Sequence, residues 1–142
     1  MANEIELTSK LSATKGGVTV VNVTTTKRQT MSTTADDMIE GTQVIPTSET
    51  ALDVGDVDIT NATGDEYIVQ LYNADSTNYV SVLIKTGSST YSNPMLMRPG
   101  ESWGPNRIAK LDGSGYGGIY LKADTASCRI GKVVVEAGDP AA

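Results

Sequence analysis

The sequence predicts an all-β domain, an antiparallel β-sandwich or jelly-roll-like barrel of about eight to ten short strands. Three observations predict it. Short runs rich in Val, Ile, Thr and Tyr recur along the chain. Turn signals built from Gly, Asn, Asp, Ser and Pro separate them at roughly regular spacing. No stretch of ordinary helix length shows a helical period. The 142 residues suit a single domain. Residues 1–34 read as an N-terminal strand pair or arm that contacts neighbours, and 138–142 as a tail.

Taken in order, Glu4–Leu11 sets Ile5 and Leu7 against Glu4, Glu6 and Thr8, the alternation of a half-buried strand. Thr14-Lys15-Gly16-Gly17 signals a turn. Val18–Thr26 is β-branched almost throughout and averse to helix. Thr26–Thr34 is polar and Thr-rich with little to bury, which predicts an edge strand or an arm that orders on contact with a neighbour. Ala35–Glu40 alone has some helical character, one turn at most, because short isolated helices are marginal. Gln43-Val44-Ile45 is a short strand stopped by Pro46. In Asp53–Ile59, Val57 and Ile59 alternate with acids.

Glu66–Ile84 reads as the central hairpin. Its runs Tyr67–Tyr72 and Tyr79–Ile84 flank the polar stretch Asn73–Asn78. Thr86–Thr90 is a turn, and Tyr91–Met97 a short segment interrupted by Pro94. Arg98-Pro99-Gly100-Glu101 has the signature of a type II turn, with Pro presetting φ at the first corner and Gly supplying positive φ at the second. Ser102–Ile108 carries the sole tryptophan, Trp103. A glycine-rich loop, Asp112–Gly118, precedes the strands Ile119–Ala123 and Cys128–Glu136. Four runs carry most of the predicted core: Val18–Val23, Tyr67–Tyr72, Val80–Ile84 and Ile130–Val135.

Composition excludes more than it suggests. Histidine is absent, which removes His-based acid/base catalysis, Ser-His-Asp and Cys-His systems, and His-ligated metals. The one cysteine, Cys128, can form neither an internal disulfide nor a multi-Cys zinc site. It reads as a small buried strand residue, with a reactive thiol as the alternative. The N-terminus lacks signal-peptide architecture and no apolar run spans a bilayer. The chain is therefore expected in a cytoplasm, and its two Asn-x-Thr sequons carry no glycosylation meaning. A net charge of −6 opposes non-specific nucleic-acid binding. The charge is segregated: Asp36–Glu66 holds nine acids and no base, and Lys85–Lys132 holds seven bases and three acids. Such segregation either pairs neighbouring strands inside the domain or makes complementary faces between identical subunits.

Asp53, Asp56 and Asp58 suggest a calcium loop, but the spacing is not that of an EF-hand and alternation splits the acids between faces. They read as a solvated acidic edge that opposes edge-to-edge aggregation. The Gly113–Gly118 run lacks the Lys-Ser/Thr and the following helix of a phosphate loop; a surface loop presenting Tyr116 fits better. Trp103 reads as a hydrophobic plug beside the Pro99-Gly100 turn. The alternative is a sugar-binding face made with Tyr91 or Tyr116. Paired carboxylates for glycoside hydrolysis are not excluded by counting. No nucleophile–base pair is visible, and no enzyme, metal or cofactor is expected.

The opening MANEIELTSKLSATKGG resembles the start of small virion-associated structural proteins of tailed bacteriophages. The resemblance continues through Gly41–Val57, resumes at Asn73–Val80, and ends with Met97–Glu101 and Tyr120–Ala126. It spans most of the chain as loose patterns; the Tyr116 loop and Thr24–Thr34 do not follow it. It implies a structural part of a phage particle, with no catalytic residues to carry over. The expectation is a non-enzymatic capsid decoration or cement protein, made in the host bacterial cytoplasm and resident in the virion. It would bind the major capsid protein or other virion proteins, and itself as a homo-oligomer, a trimer before a dimer. Nucleic acid and membrane are not expected partners. The rivals are a tail, head-fibre or vertex component and a carbohydrate-binding module for host attachment. The candidate interface sets the acids Asp53, Asp56 and Asp58 against Arg98, Arg107, Lys110 or Arg129 of a neighbour. Trp103 and Tyr116 are the candidate exposed aromatic contacts.

Overall fold

The computed structural model describes residues 4–30, 38–55, 57, 66–108, 111 and 118–137. Ten strands run in chain order: β1 (Glu4–Lys15), β2 (Val18–Thr30), β3 (Met38–Ile45), β4 (Thr50–Ala51), β5 (Glu66–Asn73), β6 (Val80–Ile84), β7 (Met95–Met97), β8 (Ser102–Ile108), β9 (Ile119–Ala123) and β10 (Cys128–Ala137). Among the described residues β1 and β2 pair only with each other. The other eight form two four-stranded sheets, ordered β3-β10-β5-β8 and β4-β9-β6-β7. All the pairings are antiparallel. Successive strands cross from sheet to sheet except at β6–β7. This strand order is that of a jelly roll. The sheets pack face to face without closing into a barrel.

The core lies between the sheets. β5 points Tyr67, Val69 and Leu71 inward, β10 supplies Ile130 and Val134, β6 supplies Val80 and Val82, and β9 supplies Ile119 and Leu121. Each fully buried aliphatic side chain contributes about 1.5–3 kcal/mol relative to exposure. Three of the four runs assigned to the core from sequence are there. The fourth, Val18–Val23, lies in the β1–β2 hairpin, where Val18 is 65% exposed and Thr19 is exposed too; the side chains of 20–23 lie outside the described residues. The expected half-burial of Glu4–Leu11 holds only at the root: Leu7 is partly covered, and every residue from Thr8 to Thr19 is exposed.

The expected central hairpin is not one. β5 and β6 belong to opposite sheets, because both edges of β5 are already taken by β10 and β8. The polar stretch between them is an arch over the end of the sandwich, and Asn73 holds it. Its side chain is completely buried. It donates to the carbonyls of Asn78 (2.9 Å) and Met97 (3.0 Å) and accepts from the Asp75 N–H (3.0 Å). Its backbone bonds to Glu101 and Gly100 tie in the next turn. That turn, Arg98–Glu101, is as the sequence predicts, with Gly100 at φ 79 and the Glu101 N–H on the Arg98 carbonyl. Asp75 caps the arch by accepting from the Thr77 and Asn78 amides.

Two further elements differ from expectation. Met38-Ile39-Glu40 is extended rather than helical, because it pairs with Val135-Val134-Val133 of β10. Ser102–Ile108 is a full edge strand. Its bulge sets Gly104 and Pro105 against Gln70, where edge position tolerates proline.

Candidate interaction surface

The most exposed element is the β1–β2 arm. Its register runs unbroken from Glu4 opposite Thr30 to Ala13 opposite Val21, with one shift before the tip. Gly16 and Gly17 both take positive φ (60 and 79), the requirement of a two-residue hairpin turn. The arm is therefore stiff in register and about 40 Å long at ordinary strand rise. Its root touches the body, where Leu7 packs with Val133 against Ile68 and Val135 on the outer face of the β3-β10-β5-β8 sheet. Beyond the root, Leu11 stands 65% exposed between Lys10 and Ser12.

The same sheet face carries an open groove beside the arm. It is lined by Glu40, Thr42, Gln70, Tyr72, Gly131 and Val133 among others. Tyr72 is 47% exposed there. A crevice under the arm root, lined by Leu7, Ile68, Pro105 and Val135, shares Gln70 and Val133 with that groove.

The candidate interface residues fall in different places. Among the described residues, three ion pairs join the acidic segment to the basic one within the chain: Arg107–Glu66 at 2.7 Å, Lys122–Glu49 at 3.5 Å and Lys132–Asp53 at 3.7 Å. Of the two readings of the charge segregation, pairing inside the domain is realised at these positions. Arg107, half-buried, and Asp53 are thus engaged at home. Asp53 also accepts from the Gly55 amide, which with Lys132 holds its carboxyl below the usual range. Lys132, buried under the β3 edge, reaches the Asp53 backbone carbonyl as well. Arg98 is exposed on its turn, and Arg129 is exposed with Nη1 3.4 Å from Thr42 Oγ1, at the groove margin. Asp56, Asp58, Lys110 and Tyr116 lie outside the described residues.

Trp103 is not an exposed platform. It is half-buried against the core, and its indole N–H donates to Met95 Sδ (3.4 Å), joining the edge strands β8 and β7 of the two sheets. The plug reading of Trp103 describes it. Tyr91 packs edge-to-face on Tyr120, centroids 5.2 Å apart, beside Lys85. Cys128 is buried. Burial first, then the nearby Asp75 and Asp124 charges, pushes its thiol up, so it stays protonated at neutral pH. The groove, Asn73 and Lys132 were not singled out from sequence. The groove's only linear trace is glycine at 41 and 131 inside β-rich runs, a recognised sign of close backbone approach or missing cover.

The chain matches no family model, no curated protein and no solved structure.

Proposed function

We propose that this protein is a non-enzymatic structural component of a bacteriophage virion, a decoration or cement protein on the outer capsid. The observation that carries the reading is the arm. A two-stranded hairpin alone in water is marginal at best, yet in this one every residue from Thr8 to Thr19, and Thr24 to Thr26, is exposed. Such an element gains its stability from a neighbour, which suits a protein that clasps a shell. The jelly-roll body agrees with the reading, since that architecture recurs in viral capsid domains; it recurs in lectins too, so fold alone decides nothing. The resemblance of the opening residues to phage virion proteins points the same way. The absence of histidine in the sequence weighs against most hydrolytic chemistry.

The test is the copy number of this protein in purified particles of the encoding phage, by quantitative mass spectrometry against the major capsid protein. The decoration reading predicts about one copy per capsid subunit or per local symmetry axis. A handful of copies per particle moves the protein to the vertex, neck or tail. Absence from particles overturns the virion reading.

A further inference from the structure

We infer that the groove on the outer face of the β3-β10-β5-β8 sheet is the seat for the arm tip of a second copy of this chain. Three observations carry this assignment.

The first is continuity. The protein's own arm already lies on one half of this face, through Leu7 on Ile68 and Val135. The uncovered half, lined by Gln70, Tyr72, Gly131 and Thr42, adjoins the arm-root crevice at Gln70 and Val133, which line both. An arm is therefore a shape this face already accepts.

The second is reach. The arm tip lies eight residues beyond Leu7, roughly 26 Å at strand rise. The ladder from Glu4 to Ala13 keeps it from folding back. The exposed Leu11 and Val18 cannot return to the groove of their own copy, but they can enter that of another.

The third is charge. Residues 1–30 carry four bases and two acids, and the rest of the chain seven bases and fifteen acids. Glu4, Glu6, Lys27 and Arg28 lie together at its root, so the tip carries only the bases Lys10 and Lys15. The groove lining presents the exposed Glu40, and its one base, Lys132, is buried and paired with Asp53. A basic tip meets an acidic body.

Tip and groove are different patches, so the contact is heterologous and every copy offers both. Such a contact propagates until rotation closes it into a ring. The inference deepens the assembly role of the arm, but it rests on arm and groove and not on the virion reading.

The experiment is native mass spectrometry of the full chain and of two variants. Wild type is expected as a closed oligomer. Leu11→Asp combined with Val18→Asp spoils the tip, at positions too exposed to affect the body. Gly131→Lys fills the groove; a Cβ there meets nothing nearer than 3.8 Å, on the Tyr72 side chain. Tyr72→Glu is the second groove variant, should Gly131→Lys lose its native near-UV signal. Each variant alone is expected as a monomer. Mixed in equal amounts, tip and groove variants are expected to give a one-to-one heterodimer, since one intact tip still meets one intact groove. A monomeric wild type overturns the inference. So do variants that remain oligomeric, or a mixture that stays monomeric. A chain monomeric in solution yet abundant on particles would overturn this inference and leave the virion reading standing.

Discussion

Val18, at the tip of β2, is 65% exposed, and Val134, in the middle of β10, is fully buried. Both sit in β-branched runs of an antiparallel pair. The difference lies in what surrounds the pair. β10 has partners on both edges and the opposite sheet over its inner face. β2 pairs with β1 in a two-stranded sheet, and its described side chains, 18, 19 and 24–26, are exposed. β-Branching makes a segment extended; it does not make it core. Along β1 the residues beyond Leu7 are mostly Ser, Thr, Lys and Ala. The body is built to bury itself, and the arm to be covered by something else.

That contrast can be broken by paired substitutions, measured by urea unfolding of chain diluted below any association. Leu71→Ala in the fully buried core is expected to cost about 3–4 kcal/mol, while Leu11→Ala in the arm stays within about 0.5 kcal/mol. An equal loss at both sites would mean that the arm is packed in the free chain. Next in size is Asn73→Ala. It leaves the buried Met97 carbonyl, and the partly buried Asn78 carbonyl and Asp75 amide, without their partner, with an expected loss of about 2–3 kcal/mol. A loss near zero would show that water replaces the side chain at the arch.

Smaller again is the half-buried Arg107–Glu66 pair. A double-mutant cycle is expected to give a coupling of about 0.5–1 kcal/mol. No coupling would reopen Arg107 as a residue available to a neighbour.

The finest effect is pH dependence. Asp75 is held below the usual carboxylate range by the Asn78 and Thr77 amides, Asp53 by the Gly55 amide and Lys132, and Glu49 by its backbone hydrogen bond and Lys122. Each folded pKa is lowered, so the unfolded chain binds more protons in that range. Their contribution is fully present above the unfolded values, about 3.9 for Asp and 4.3 for Glu, and is lost as pH falls through the lowered folded values. Urea midpoints are expected to stay level on this account from neutrality to about pH 5 and to decline below about pH 4. Asp75→Asn should lessen that decline; an unchanged acid profile would show that the arch does not depend on the carboxylate.

Much of the body was legible because local rules and packing agree there. The period of β5 and β10, the Pro99-Gly100 turn and the Gly16-Gly17 hairpin need only neighbours in sequence. Partner choice was not legible. Tyr67–Tyr72 and Val80–Ile84 make a convincing hairpin on paper, and only the arrival of β8 and β10 at both edges of β5 sends them to different sheets. Asn73 looked like ordinary turn composition; its importance comes from Met97, distant in sequence. Met38–Glu40 lost its helical tendency to pairing with β10, as tertiary context outweighs weak propensity. Of the candidate interface, the charge segregation was visible, but sequence left open whether acids and bases meet within one chain or between chains. The groove was hidden because it is made of residues that are missing cover, distributed over β3, β5 and β10.

The most direct test of the contrast between arm and body is hydrogen exchange on the free chain at the lowest workable concentration. The account predicts that amides of Thr8–Thr26 exchange with little protection, while those of β5 and β10 exchange only through global unfolding. Arm amides as slow as those of β10 would contradict it, because the arm would then be stabilised within its own chain and would need no partner.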